Sequence, residues 1–166
     1  MKGTEIIVSA FPKGVMLEGI IVGAALLPGC KMEIKNGVLP VGGRHTWQGY
    51  GINGGMASND PRLTAILCED YFQGKTLIDA YVAGTRCRMY CPLPGEEMNV
   101  LLAGEAGTGS ANAFTIGERL SPQQASGATA GQYIQQGTSA NKADFISMEH
   151  IDEVPDVAIL CWAIMQ

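Results

Sequence analysis

This sequence contains no long hydrophobic run and no cluster of basic residues. Towards the C-terminus the longest uncharged apolar run covers residues 157–165, about half the length that a membrane-spanning helix needs. The formal net charge is −5 at pH 7, and no run of Lys or Arg offsets it locally. An acidic chain of this kind is repelled by the phosphate backbone of DNA or RNA. We therefore predict a soluble protein that binds neither membranes nor nucleic acids.

Metal ligands and disulfide patterns are also scarce. The two histidines, His45 and His150, lie far apart, and no cysteines stand near them at the spacings of a zinc site. The five cysteines are scattered without framework spacing, and each stands beside apolar residues: Cys30, Cys68, Cys87, Cys91 and Cys161. Such cysteines are typical of buried free thiols in a reducing compartment. The sequence predicts no metal site and no cofactor.

The residue patterns of common catalytic sites are missing or incomplete. Two histidines leave few ways to build a site with a nucleophile, a base and an orienting acid, and no G-x-S-x-G elbow is present. The triplet at residues 74–76 looks like the end of a phosphate-binding loop, but Glu69 stands where that motif needs its first glycine. Adjacent carboxylates such as Glu96 and Glu97 face opposite sides of a strand. We predict that the protein is not an enzyme.

What the sequence does contain is typical of β-structure. Only 16% of its 166 residues are charged and 22 are glycine, while 46% are hydrophobic, enough for one domain with a sizeable core. The segments 60–72 and 76–84 are compatible with short helices. Short alternating or apolar segments bounded by turn residues predict strands within 4–11, 14–26, 30–35, 63–71, 85–91, 98–103, 113–120, 132–137, 143–151 and 157–165.

The segment at residues 80–102 predicts a β-hairpin. Pro94 and Gly95 suit the two central positions of a type II turn, and residues 98–102 form the return strand. Glu96 and Glu97 are expected at the solvent-exposed end of this turn. Along the first strand, side chains alternate between the core and solvent: Cys87, Met89 and Cys91 are expected inside, and Arg86, Arg88 and Tyr90 outside.

Two segments are candidates for contact with a partner. Residues 1–13 form a possible N-terminal arm that adds a strand to a sheet, and residues 41–61, rich in glycine, predict a long loop excursion. Aromatic rings on loops supply much of the buried area of interfaces, although these rings could equally fold back onto their own domain. The candidate contact residues are Ile6, Val8 and Phe11 in the arm and His45, Trp47 and Tyr50 in the excursion.

From about residue 63 onwards, the chain resembles the head decoration, or cement, proteins of tailed bacteriophages. The resemblance rests on LIDAYVAGTRCRMYCPLPGEEMNVLLAG (77–104), AFTIGERLSPQ (113–123) and GATAGQYI (127–134). These segments contain an alternating strand, a Pro-x-x-Gly-acid turn, a Gly-x-x-Leu corner and a glycine turn. The final KADFISMEHIDEVPDVAILCWAIM (142–165) is similar to the ending of the family, whereas Gly84-Thr85 departs from its usual Gly-Asp.

The resemblance implies an all-β fold, a small β-barrel or β-tulip domain that takes in residues 1–166. It also implies a homotrimer on the outer surface of a phage capsid, assembled in the host cytoplasm, that stabilises contacts between major capsid protein subunits. The rival hypothesis is a ligand-binding β-barrel such as a carbohydrate-binding module, in which Trp47, Tyr50 and Tyr71 line a sugar platform. A monomer retained on a glycan column would favour this rival.

Overall fold

The structure is a computed structural model, and it describes residues 5–9, 12–34, 44–51, 64–103, 113–123, 130–135, 143–152 and 159–166. These residues contain ten strands and a 3-10 helix at Tyr71–Gln73, which confirms the all-β prediction. The strands are β1 (Val15–Ile21), β2 (Lys31–Ile34), β3 (Thr46–Gly49), β4 (Ala65–Cys68), β5 (Arg86–Cys91), β6 (Glu97–Leu102), β7 (Arg119–Pro122), β8 (Tyr133–Gln135), β9 (Phe145–Ser147) and β10 (Ile159–Met165). None of the described residues forms a helix long and apolar enough to cross a membrane.

The strands close into two barrels of five strands each. The first has the order β1-β3-β2-β4-β5 and the second β6-β8-β7-β9-β10, and in each the last strand pairs with the first. Each barrel has a single parallel pair, β1 with β3 and β6 with β8, and its other pairs are antiparallel. The second barrel therefore repeats the strand order and the strand directions of the first.

This repeat extends to the register of individual residues. Met32 opposes Ala65 across β2 and β4, and Leu120 opposes Phe145 across β7 and β9. The other strand pairs give the same correspondence without a shift. Equivalent positions of the two barrels include Leu17 and Met98, Ile21 and Leu102, Met32 and Leu120, Trp47 and Tyr133, Leu67 and Ser147, and Met89 and Ala163.

The turn before the second strand of each barrel is also repeated. Gly29 has φ 92° and Gly117 has φ 91°, the left-handed region that glycine adopts without strain. The N–H of Gly29 donates to the carbonyl of Leu67 (2.8 Å), and the N–H of Gly117 donates to that of Ser147 (2.9 Å). The same local turn thus carries the chain into β2 and β7.

Each barrel encloses a hydrophobic core. The first core contains Ile21, Leu26, Met32, Trp47, Ala65, Leu67, Tyr81, Cys87, Met89 and Ala130. The second core contains Ile6, Ile66, Cys68, Tyr90, Met98, Val100, Leu102, Phe114, Leu120, Tyr133, Phe145, Cys161 and Ala163. Because Ile66, Cys68 and Tyr90 come from strands of the first barrel, the second core also includes the contact between the barrels.

At Tyr90, this contact also covers the outer face of strand β5. Cys87 and Met89 face the first core, as the alternation predicts, and Arg86 is exposed. Tyr90, on the other face, is buried in the second core, so the prediction that it faces solvent is wrong. The alternation separates the two faces of the strand, but it does not reveal that a second barrel covers the outer one.

The turn at Pro94 and Gly95 links the two barrels. The N–H of Glu96 donates to the carbonyl of Leu93 (3.1 Å) and Gly95 has φ 89°, in agreement with the predicted type II turn. The predicted hairpin is wrong, because β5 pairs with β1 and β4 while β6 pairs with β10 and β8. A turn specifies a reversal of the chain, but the pairing partner of each strand is decided by the whole barrel.

In three further segments the structure differs from the sequence predictions where the chain is described. The excursion predicted at residues 41–61 contains β3, whose four residues Thr46–Gly49 are all buried; residues 52–61 lie outside the described residues, as do 41–43. The helix considered for residues 60–72 is wrong where the chain is described, since Ala65–Cys68 form β4. Likewise, residues 76–84 form turns around a bridge at Tyr81.

Candidate partner-binding surface

The N-terminal segment at residues 5–9 pairs with the edge of β6. The N–H of Val8 donates to the carbonyl of Glu97 (3.0 Å), and the N–H of Asn99 donates to the carbonyl of Ile6 (2.8 Å). Ile7 and Met98 form the bridge between these two hydrogen bonds, which gives antiparallel pairing. The strand addition predicted for the arm therefore takes place within this chain.

Side chains from both barrels hold this segment. The N–H of Ile6 donates to both carboxylate oxygens of Glu69 in the first barrel (3.3 and 3.4 Å). In the second barrel, the amide Nδ2 of Asn99 donates to the carbonyl of Glu5 (2.7 Å), and the N–H of Glu97 donates to Ser9 Oγ (2.7 Å). Partial burial raises the pKa of Glu69 above its ordinary value. The segment thus fastens one barrel to the other.

Glu96 fixes the chain just before β1. Its carboxylate is buried and accepts hydrogen bonds from Tyr90 Oη (2.8 Å) and from the backbone N–H groups of Leu93 (2.6 Å), Gly14 (3.3 Å) and Lys13. Desolvation raises the pKa of Glu96, but these hydrogen bonds outweigh it, so the pKa lies below its ordinary value. The prediction that Glu96 lies at a solvent-exposed turn end is wrong, because the chain before β1 covers it.

The six predicted contact residues occupy different environments. Ile6 and Trp47 lie in the second and first cores, so this chain itself covers them. His45 is exposed, and Val8 and Tyr50 are half-buried, the ring of Tyr50 lying 4.9 Å from the ammonium of Lys31. Phe11 lies outside the described residues. A contact between these residues and a partner stays a prediction.

The position of Trp47 weighs against a sugar platform. Its indole packs directly over Gly19 of β1, where a Cβ atom would overlap the ring. Trp47 is therefore an interior residue of the first barrel and is not displayed beside Tyr50 and the exposed Tyr71. A glycine inside a strand, such as Gly19 in β1, is the sequence signal for this kind of close packing.

Exposed apolar side chains lie instead in the connection between β4 and β5, which sequence reasoning did not select as a surface. Phe72 is 95% exposed and Ile78 is 87% exposed. Ser147 and Ile151 of the second barrel are equivalent to Leu67 and Tyr81 of the first. The connection between these positions is longer in the first barrel, because residues 71–80 are inserted before Tyr81. The insertion is ordered by hydrogen bonds, including Lys75 Nζ to the carbonyl of Ala80 (3.0 Å) and Thr76 Oγ1 to Asp79 (2.6 Å).

A buried ion pair joins the two barrels. Lys31 Nζ on β2 lies 2.8 Å from Asp144 Oδ2, just before β9, and both side chains are shielded from water. Tyr133 Oη donates to the same carboxylate oxygen (3.2 Å), and burial raises the pKa of Tyr133 well above its ordinary value. Nearby, the N–H of Lys31 donates to the carbonyl of Gly131 (2.8 Å).

The thiols are placed in the cores and are not activated. The five cysteines are free, as predicted, and only Cys91 is partly exposed. Burial raises the pKa of Cys30 and of Cys87 to about 12, so both thiols remain protonated near neutral pH. No group of three or more metal-ligating side chains comes together among the described residues.

Comparison with solved structures finds a likeness in fold. The chain is similar to the crystal structure of the head fiber gp8.5 N base of bacteriophage phi29, with a TM-score of 0.51 and 9% sequence identity. The likeness covers 92% of this chain and 94% of that chain, so both barrels take part in it. No family model and no curated protein matches the sequence.

Proposed function

We propose that this chain is a structural protein of a phage virion and binds the outer surface of the capsid. The observation that carries the proposal is the fold likeness to a phage head fiber base, which covers 92% of this chain. The resemblance to head decoration proteins from about residue 63 onwards supports the same class by a separate route. An exposed apolar insertion and ordered strand edges suit a protein that acts by binding.

The finer proposal is that the protein acts as cement, as a homotrimer that stabilises contacts between major capsid protein subunits. A trimer engages a capsid at several points, so that weak single contacts add up to strong overall binding. Phe72 and Ile78 on the insertion, with His45, Val8 and Tyr50, are the candidate contacts that have exposed surface in this fold.

The test is to add purified protein to capsids of the same phage that lack it. We expect the protein to sediment with the capsids, to be trimeric by light scattering, and to raise the temperature at which the capsids lose their contents. Phe72→Ser and Ile78→Ser should weaken binding without lowering stability, because both side chains are exposed. A surface control is Glu118→Gln, which should bind as the unmodified protein does. Failure of the unmodified protein to bind capsids would contradict the proposal.

A second candidate within the same class is the base of a head fiber, which the fold likeness itself favours. A base anchors another protein and has no need to strengthen the shell. Binding to capsids with no change in their heat resistance, together with loss of a fiber from particles that lack this protein, would identify the base. Binding with increased heat resistance would identify cement.

A further inference from the structure

The two barrels differ in how the edge of their first strand is completed. In β1, the N–H of Ile21 donates to the carbonyl of Thr85 on the β5 side (2.9 Å), whereas the N–H of Ile20 donates to the carbonyl of His45 on the β3 side (3.0 Å). Successive residues of a strand direct their backbone groups to opposite sides. The backbone groups of Met16 and Glu18 therefore point away from β5, in the same direction as those of Ile20.

Strand β3 does not reach this part of β1. Its pairing with β1 covers Ile20 and Ile21, and within the described ranges no residue hydrogen-bonds the outward backbone groups of Met16 or Glu18. In the second barrel β8 stops equally early, pairing with β6 at Leu102. Leu101, the equivalent of Ile20, also has its outward N–H bonded, to the carbonyl of Gly29 (3.0 Å), so the two edges agree up to this point.

The N-terminal segment completes the rest of the edge in the second barrel. Glu97 and Asn99 are the equivalents of Met16 and Glu18, and their outward backbone groups bond to Val8 and Ile6 of residues 5–9. The duplicated fold thus shows what fits this edge: an extended, antiparallel segment with an apolar residue, Ile7, beside the first core residue of the strand.

Exposure of the side chains shows the same contrast. In β6, Met98 and Asn99 are fully buried beneath the added segment. In β1 the equivalents of these two residues, Leu17 and Glu18, are half-buried and exposed, and Val15 and Met16 before them are 59% and 38% exposed. An apolar edge of this kind, left open, invites pairing with another strand.

We propose that the outward edge of residues 15–18 is a β-augmentation site for an extended arm of a capsid subunit. The arm pairs antiparallel to β1 and places an apolar side chain beside Leu17, as Ile7 lies beside Met98. Among the described residues the one added segment, 5–9, is already paired with β6, and the proposal places the incoming strand on another polypeptide. The charge of Glu18 is balanced by its ion pair with Arg86, which leaves the edge suited to an apolar arm. The identity of the partner rests on the proposed function.

The free protein gives the first test, by amide hydrogen exchange. The N–H of Asn99 is hydrogen-bonded to Ile6 and is expected to exchange slowly, whereas the N–H groups of Met16 and Glu18 are expected to exchange much faster. When capsids lacking the protein are added, the amides of Met16 and Glu18 should become protected. Protection of both amides in the free protein to the level of Asn99 would overturn the proposal, because the edge would then be covered within the chain.

A proline variant gives the second test. Met16→Pro removes an outward N–H, the equivalent of the Glu97 N–H that donates to Ser9 Oγ, and places the proline ring where an incoming strand would lie. The hydrogen bonds between β1 and β5 are kept, because they use the other side of β1. Met16→Ala keeps the N–H and is the matched control. We expect the alanine variant to bind capsids as the unmodified protein does and the proline variant to bind at least about tenfold more weakly, the equivalent of one or two lost hydrogen bonds.

The outcomes separate this inference from the proposed function. Equal binding by all three proteins, with no new protection at residues 16 and 18, overturns the augmentation site and leaves capsid binding intact. No binding by the unmodified protein contradicts the proposed function itself. A proline variant that loses self-association but keeps its capsid affinity overturns the capsid arm as the occupant. If the proline variant unfolds, protection of the amides in the unmodified protein decides alone.

Discussion

Glu96 is the side chain that holds the turn between the barrels to the start of β1. One carboxylate accepts four hydrogen bonds, from Tyr90, Leu93, Gly14 and Lys13. The first two belong to the chain leading into the turn, and the last two belong to the segment before β1. A glutamate next to a Pro-Gly turn would ordinarily be assigned to solvent, and here it is a central structural residue.

Glu96→Gln should lower the free energy of unfolding by about 1–3 kcal/mol at neutral pH, since a neutral amide replaces a charged acceptor at a buried site. The pKa of Glu96 is lower in the folded protein than its ordinary value of 4.5. Its stabilisation is therefore complete above that value and is lost as the pH falls through the lower, folded pKa. Urea unfolding at neutral and acid pH should show the difference between variant and unmodified protein shrinking in acid.

The matched control is Glu18→Gln, which changes an exposed ion pair with Arg86 and should cost less than about 1 kcal/mol. Equal losses for the two variants, or a difference that grows in acid, would contradict the role assigned to Glu96.

At the scale of elements, the repeated turns before β2 and β7 offer a direct comparison. Both contain a glycine with positive φ, Gly29 and Gly117. Among the described residues, a Cβ atom at Gly29 would meet the other barrel, 2.8 Å from the backbone nitrogen of Leu101 and 2.9 Å from the side chain of Leu160. A Cβ atom at Gly117 would have no neighbour within 4 Å.

Gly117→Ala should destabilise the protein by about 1–2 kcal/mol, the cost of a left-handed backbone for a residue with a Cβ atom. Gly29→Ala should cost roughly 1–3 kcal/mol more, because it adds a clash at the contact between the barrels. Thermal or urea unfolding of the two variants measures the difference. Equal losses of stability for the two variants would contradict the predicted clash at the contact between the barrels.

Considered as a whole, the molecule is two copies of one barrel joined through a shared core and a buried ion pair. Ile66, Cys68 and Tyr90 of the first barrel pack into the second core, and Lys31 pairs with Asp144 across the boundary. Neither barrel can unfold without exposing apolar surface of the other. We therefore expect the two barrels to unfold together.

Trp47 in the first barrel and Trp162 in the second allow this to be measured. Single-tryptophan variants, Trp47→Phe and Trp162→Phe, should give fluorescence transitions that each coincide with the transition followed by circular dichroism. Separate midpoints for the two probes would contradict cooperative unfolding.

The buried ion pair is tested by its own variants. Asp144→Asn should lower the free energy of unfolding by about 3–5 kcal/mol, since it leaves the charge of Lys31 buried without a partner. The double variant Lys31→Met with Asp144→Leu should recover much of this loss in urea unfolding.

Local patterns in the sequence determined a large part of this protein. The apolar segments within 14–26, 63–71 and 157–165 contain β1, β4 and β10, and Pro94-Gly95 forms the predicted turn. The five thiols are free, and four of them are buried. Each of these properties depends on a residue and its near neighbours: the alternation of side chains, the fixed φ of proline, and the access of glycine to positive φ.

The duplication was not visible in the sequence, because equivalent positions differ in identity and often in size or polarity, as Leu67 and Ser147 do. Leu26 corresponds to Phe114, and Trp47 to Tyr133, while Gly29 and Gly117 agree because their backbone conformation requires glycine. Strand β3 was not predicted, because Thr46–Gly49 is short and lies between glycines. Its strand conformation is imposed by β1 and β2 on either side.

Only the tertiary structure decided which strands pair and which faces are covered. Tyr90 and Glu96 stand at positions where alternation and turn chemistry predict solvent, and the second barrel and the chain before β1 bury them. The same long-range packing gives the segment 5–9 its place on β6 and leaves the matching edge of β1 without a partner among the described residues. Strand formation follows from the period of side chains along the chain, whereas burial depends on contacts between residues distant in sequence.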